Sequence, residues 1–198
     1  MGDRELDVAE CLERVRRRDE DAARELTEHL YPLVIKIVRS HLPRRLDEQD
    51  LAQDIFLKIF AKLDQFKSEV PFEHWVSRVA VTTSLDKLRM QKRRPEWRMA
   101  DLSEEEAAVI DAVTHSENAP TPGQELAAHE LVTRLLDMLK PDDRMIITML
   151  DLERKSLAEI AELTGWNKTV IKVRAFRARK KMKKFLEQLE KKGTHEGR

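Results

Sequence analysis

The stretch from Ser156 to Phe185 constrains this chain most, because it holds two helical stripes of different length separated by one glycine. Ser156 stands where it caps a short helix, and Glu159, three residues on, returns the hydrogen bond as a capping box. Leu157, Ile160, Ala161 and Leu163 supply the apolar side of that helix, and Gly165 ends it. Asn167 is the next cap, followed by Ile171, Ala175, Ala178, Met182 and Phe185 on a 3.6-residue period. A different arc carries Lys168, Lys172, Phe176, Arg179 and Lys183, with Thr169 and Val173 beside it. A capped helix, a tight turn and a longer basic helix form the layout of a helix-turn-helix, whose second helix enters the major groove of DNA. Its first turns make Lys168, Thr169 and Lys172 the base-edge candidates and give Val173 to a thymine methyl; Arg174, Arg177, Arg179 and Lys180 then serve phosphates. The plainer alternative is a basic solvated helix, but the spacing of cap, turn and charge run favours DNA.

Whole-chain charge conceals this pattern, since 37 basic residues balance 37 acidic ones. From Lys168 to Lys192 there are eleven Lys or Arg against two Glu, whereas Asp101 to Glu130 holds eight acidic residues and no Lys or Arg. Such segregation steers a polyanion to one patch and repels it from the other.

Five glycines in the whole chain and the lack of strand-like alternation point to an all-α protein. With 41% hydrophobic residues, this length fills two modest cores rather than one large one. Two small helical domains are expected, at 8–94 and 124–189, joined by a flexible acidic linker at 95–123 where Asn118, Pro120, Pro122 and Gly123 interrupt helicity. Cys11 is the lone cysteine, and the six histidines are dispersed without ligand spacing, so neither a metal nor any other cofactor is expected. No apolar run approaches a membrane span, and the opening Met-Gly-Asp-Arg-Glu does not read as a secretion signal. A cytoplasmic protein without direct membrane insertion is therefore expected.

In the first domain, one helix is expected near Val8 to Arg17 and another from about Asp21 to Leu42. The second has Ala23, Leu26, Leu30, Leu33, Val34, Ile37 and Val38 as its stripe, and Pro32 is expected to bend it or to perturb its hydrogen bonds. Asp47 caps a third helix, with Leu51, Ile55, Ile59 and Leu63 inward. Phe56 and Phe60 lie on an adjacent arc, either as core or as part of a protein-docking surface. A loop from Asp64 to Pro71 precedes a fourth helix, Phe72 to Met90. On it Trp75, Arg78, Thr82, Asp86, Arg89 and Arg93 share a side, while Val76, Val79, Ala80, Leu85 and Leu88 supply the apolar remainder. An aromatic and arginines on one face, behind a polar loop, suit unstacked single-stranded bases. Trp75 taken singly reads rather as a core residue beside ordinary surface arginines, and it is the surrounding segment that shifts the balance.

Three runs in order carry a family resemblance. DEQDLAQDIFLKIFAKLDQF, from Asp47 to Phe66, resembles the helix by which bacterial sigma factors of the extracytoplasmic function (ECF) group grip the clamp of RNA polymerase. FEHWVSRVAVTTSLDKLRMQKRRP is similar to that group's promoter-melting and −10 element helix. LLDMLKPDDRMIITMLDLERKSLAEIAELTGWNKTVIKVRAFRARKKM is similar to its −35-binding domain. The resemblance implies a polymerase-contacting surface at Asp50, Gln53, Asp54 and Phe56. It implies a loop at Phe66, Lys67, Ser68 and Glu69 that cradles a flipped nontemplate base, with Arg78, Thr82, Lys87 and Arg89 supporting −10 DNA. It also implies a −35 recognition helix carrying Lys168, Thr169, Lys172, Val173, Arg174, Phe176, Arg177 and Arg179. Thr82 stands where many members have Asn, Val173 where Ser is common and Phe176 where His is common; these departures bear on which bases are read and not on the docking mode.

Further implications follow from the same resemblance. Asp101, Glu104, Glu105, Glu106 and Asp111 would occupy a basic channel of the polymerase until nascent RNA displaces them, the alternative being a solvated spacer. The chain would be a non-catalytic specificity subunit with core RNA polymerase (β′ and β subunits), duplex promoter DNA and nontemplate single strand as partners, restrained by an anti-sigma factor. The alternative to this reading is a stand-alone helix-turn-helix transcription regulator.

Overall fold

A computed structural model describes residues 6–41, 47–92 and 122–196, which are α-helical apart from short turns. The linker residues Asp101, Glu104, Glu105, Glu106 and Asp111, together with Arg93, lie outside the described residues. The chain divides into two compact units, the first ending at Leu88 and the second opening at Arg89, apart from Glu162–Gly165, which group with the first.

The first unit holds α1 (Val8–Arg16), α2 (Glu20–His41), α3 (Glu48–Ala61), a 3-10 turn at Leu63–Gln65 and α4 (Phe72–Lys92). Side chains start these helices. Asp7 accepts from the N–H groups of Ala9 and Glu10, and Asp47 from those of Gln49 and Asp50, so each satisfies donors that the first helical turn leaves over. Asp19 does the same for Asp21 and Ala22 at 3.0 Å each, while Arg14 Nε donates to its other oxygen at 2.8 Å. The Ala22 N–H and the Arg14 guanidinium together hold the Asp19 carboxyl below its ordinary value. Pro32 sits inside α2 without ending it. It lies on the exposed side of the helix, so the missing N–H leaves no buried gap in the core.

Ala22, Leu26, Leu30, Val34 and Val38 form a ridge at four-residue spacing along α2, and Leu51, Ile55 and Ile59 face it from α3. Ala23, Leu33 and Ile37 fall on the shoulder of this ridge, one position off the expected centre. Cys11 is 2% exposed and its thiol donates to the Ala22 carbonyl at 3.3 Å. Burial, reinforced by Glu25, pushes that thiol up from its usual value. Cys11 is therefore expected to resist iodoacetamide at pH 8 in the native protein and to react only in denaturant. Mass spectrometry of native samples showing rapid alkylation would contradict this packing.

The second unit holds α5 (Pro122–Asp137), α6 (Pro141–Ile147), a π-helical turn at Thr148–Leu152, α7 (Leu157–Thr164) and α8 (Lys168–Glu196). Pro122 opens α5 rather than interrupting the chain before it, as suits a residue with no N–H to offer at a first helical position. Met145, Ile146, Met149, Ile160 and Ile171 are fully buried at its centre. Leu131 and Leu135 of α5 pack on Met182, Phe185 and Leu186, so the expected stripe of α8 is inward along its length. Arg144 is buried and forms an ion pair with Asp137, the last residue of α5. No helix among the described residues is long and apolar enough to cross a membrane.

Candidate nucleic-acid and polymerase interfaces

Local chemistry builds the helix-turn-helix as its sequence dictates. The Ser156 N–H donates to Glu159 Oε2 at 2.7 Å, and the Glu159 N–H donates to Ser156 Oγ at 3.2 Å, closing the capping box. Gly165 adopts φ +74°, a left-handed conformation that ends α7 and that a side chain would strain. Asn167 Oδ1 then accepts from the Thr169 N–H at 2.8 Å and starts α8. Ser156 holds the Glu159 carboxyl below its ordinary value of 4.5, through its hydroxyl first and its N–H second. A depressed folded-state value means that the stabilisation is complete above the unfolded value and is lost as pH falls through the folded one. Below about pH 4.5 the wild-type melting temperature is expected to fall more steeply than that of Glu159→Gln, which cannot titrate. Parallel curves in thermal scans between pH 3 and 6 would remove Glu159 from the account.

Ile171, Ala175 and Ala178 turn α8 inward at 0–2% exposure. Lys168, Thr169, Val170, Lys172, Val173, Phe176 and Arg177 are exposed, with Phe176 the most exposed of the large apolar side chains at 69%. Two arginines that the sequence assigns to phosphates are already engaged. Arg174 reaches Asp142 at 3.1 Å and Asp143 at 3.0 Å, and its guanidinium lies 5.8 Å from the Trp166 ring centroid. Arg179 spans both carboxylate oxygens of Asp151, with Nε at 3.1 Å.

On α3, Asp50, Gln53 and Asp54 are exposed, as the polymerase-contact assignment requires, whereas Phe56 is buried at 9%. Its ring belongs to the core between α2 and α3, so the contact it makes is internal. Leu57 lies outside instead: it is 62% exposed and stands two helical turns beyond Asp50 on the same face. Sequence reasoning passed over Leu57, although its seven-residue spacing from Asp50 put an apolar side chain on the polar arc. Phe60 is partly buried against the core.

Phe66 is 8% exposed and packs edge-on against Phe72 at 5.0 Å and tilted against Trp75 at 5.6 Å. Phe72 and Trp75 stack at 5.7 Å, which makes Trp75 a shoulder of the core. Lys67, Ser68 and Glu69 project from this aromatic floor, all exposed, with Ser68 in the left-handed region at φ +57°. Along α4, Arg78 is exposed and Thr82 half-buried, its hydroxyl donating back to the Arg78 carbonyl at 2.8 Å. Arg89 is also half-buried. Lys87 reaches across to Asp54 of α3 at 3.3 Å, so a residue expected at DNA and one expected at the polymerase share an ion pair. Among the described residues, no group of His, Cys, Asp or Glu has the arrangement of a metal site.

Comparison with known proteins fits this architecture. Residues 26–94 match the family Sigma-70 region 2, and residues 129–182 match the family Sigma-70, region 4. The ECF RNA polymerase sigma-E factor of Haemophilus influenzae is 30% identical over 181 residues, covering 90% of this chain and 94% of that protein. Its Escherichia coli K12 counterpart is 31% identical over 172 residues, covering 85% and 88%. Among solved structures, CnrH in complex with the cytosolic domain of CnrY is similar in fold, with a TM-score of 0.54 and 19% identity over 90% of this chain and 96% of that one. The sigma factor RpoE of Bartonella quintana, in complex with the anti-sigma factor NepR, gives 0.51 and 19% over 83% and 96%. A stand-alone regulator would need only the second unit's match; with both conserved segments present in order, the chain belongs to the ECF group of sigma-70 family RNA polymerase sigma factors.

Proposed function

We propose that this sigma factor docks on core RNA polymerase through the outer face of α3 and engages its promoter at two places. Asp50, Gln53 and Asp54 form a polar, acidic rim around Leu57, suited to a basic helical surface on the β′ subunit, while the second unit reaches the β subunit. Phe56 supports that face from beneath. Lys67, Ser68 and Glu69, carried on Phe66, hold an unpaired nontemplate base, and Arg78, Thr82, Lys87 and Arg89 follow the strand beside it. Lys168, Thr169 and Lys172 address base edges of the −35 duplex, Val173 and Phe176 its apolar groups, and Arg177 its phosphates. Arg179, tied to Asp151 yet half exposed, keeps N–H groups for a further phosphate. Binding at both places offsets the cost of separating the strands.

Asp101, Glu104, Glu105, Glu106 and Asp111 of the linker occupy a basic channel of the polymerase before RNA does. An anti-sigma factor is a further partner, in keeping with the complex in which the Bartonella relative is found. The observation that supports this reading best is a correctly capped helix-turn-helix whose second helix presents a basic arc outward. Runoff transcription with purified core polymerase on a genomic fragment library, followed by mapping of 5′ ends, is expected to recover recurring paired upstream motifs. Failure to co-migrate with core enzyme, or transcripts without such motifs, would overturn it.

A further inference from the structure

We infer that Arg174 is a positioning residue that fixes the rotation of the recognition helix, rather than one of its phosphate contacts; this rests on the reading of α8 as the −35 helix. Around Arg174 the buried stripe of α8 consists of Ile171, Ala175 and Ala178. One branched side chain and two methyl groups form a smooth contact that specifies roll about the helix axis weakly. The guanidinium adds a fixed direction to this part of the helix. Nη1 donates to Asp143 Oδ1 at 3.0 Å, and Nη2 lies 3.1 Å from Asp142 Oδ2. Its flat face lies toward Trp166 in the turn.

Both carboxylates belong to the first turn of α6 and are only about a fifth exposed, so few other positions are open to them. A rigid fork on fixed acceptors defines an angle as well as a distance, which a flexible ammonium does not. Lys172 and Val173 precede Arg174 by two and one residues, at about 200° and 100° around the helix. Locking Arg174 therefore sets where these two side chains enter the groove. A phosphate contact would have the opposite logic, because two aspartates beside it would weaken every contact with a polyanion.

The test uses full-length variants assembled with core polymerase, on promoter fragments randomised across the upstream element. Affinity is then measured for the enriched fragment and for one with that element scrambled, over a salt series. Arg174→Gln is expected to lose about tenfold in discrimination between the two fragments, with the slope of log affinity against log salt unchanged. Arg174→Lys is expected not to restore discrimination, and Asp143→Asn to lower it in the same direction. Arg174→Gln lowering the slope by about 0.9 with discrimination intact would overturn the inference. So would Asp143→Asn tightening both fragments equally. A wild-type holoenzyme that enriches no upstream sequence overturns the −35 reading and this inference with it. Circular dichroism of each variant checks that helix content is retained.

Discussion

Leu57→Asp is expected to weaken assembly with core polymerase severely while leaving the chain folded, and Phe56→Ala is expected to destabilise the first unit strongly. The two residues are adjacent in sequence and opposite in environment, at 62% and 9% exposure. Truncating Phe56 removes a ring packed among residues of α2 and α3 and leaves a cavity, a change that costs about 3–5 kcal/mol in well-packed cores. Against a domain stability of roughly 5–15 kcal/mol this is a large fraction, and thermal denaturation will register it directly. Leu57 has no such internal contact to lose. An exposed apolar side chain one turn beyond Gln53 and Asp54 and two beyond Asp50 has the form of an anchor with a polar border, and truncated anchors typically lose about 2 kcal/mol or more. A carboxylate there would also have to give up its hydration to enter an apolar contact. Loss of at least about thirtyfold in affinity for core enzyme is expected, with an unchanged melting temperature. An L57D chain that assembles normally would move the docking surface elsewhere on the first unit.

What was legible in the sequence was local. The Asp47 cap, the Ser156–Glu159 box, the Asn167 cap and the Gly165 terminator each depend on residues within three positions of one another, and each formed as its spacing implied. The inward stripe of α8 was equally readable, because Ile171, Ala175, Ala178, Met182 and Phe185 recur on a 3.6-residue period that no lysine or arginine interrupts. Around α3 the same method could not separate Phe56 from Leu57, since apolar residues occupy most of the arc from Leu51 to Phe60 and burial there depends on where α2 lies. The ion pairs of Arg174 and Arg179 were illegible for another reason: their carboxylate partners stand 31 and 28 residues away. On α4, Thr83 and Ser84 are buried although polar, Ser84 by returning its hydroxyl to the Ala80 carbonyl at 2.9 Å. A hydroxyl that satisfies itself within its own helix carries no polar signature into the packing pattern. The π-helical turn at Thr148–Leu152 has neither proline nor glycine to mark it.

Phe66→Ala is expected to impair promoter opening more than upstream duplex binding, and to lower the stability of the first unit by about 3–5 kcal/mol. Phe66 is the first residue of the loop and also the last ring of an aromatic cluster with Phe72 and Trp75. Its nearly complete burial leaves little ring surface for a base, so on the proposed reading of the loop its contribution is to fix the backbone of Lys67, Ser68 and Glu69. Ser68 holds a left-handed conformation, which a non-glycine residue keeps only where its surroundings impose it. Removing the ring takes away that imposition and frees the loop to relax. Capture of an unpaired base then pays the ordering cost of the loop again, whereas the −35 contacts of α8 are untouched. Phe66→Leu keeps most of the volume, and a loss below about 1.5 kcal/mol is expected for it, with opening largely preserved. Permanganate reactivity of unpaired thymines reads opening, and filter binding of an upstream duplex reads recognition. Equal losses in both, or an F66A chain with unchanged melting and opening, would show that the aromatic floor does not govern the loop.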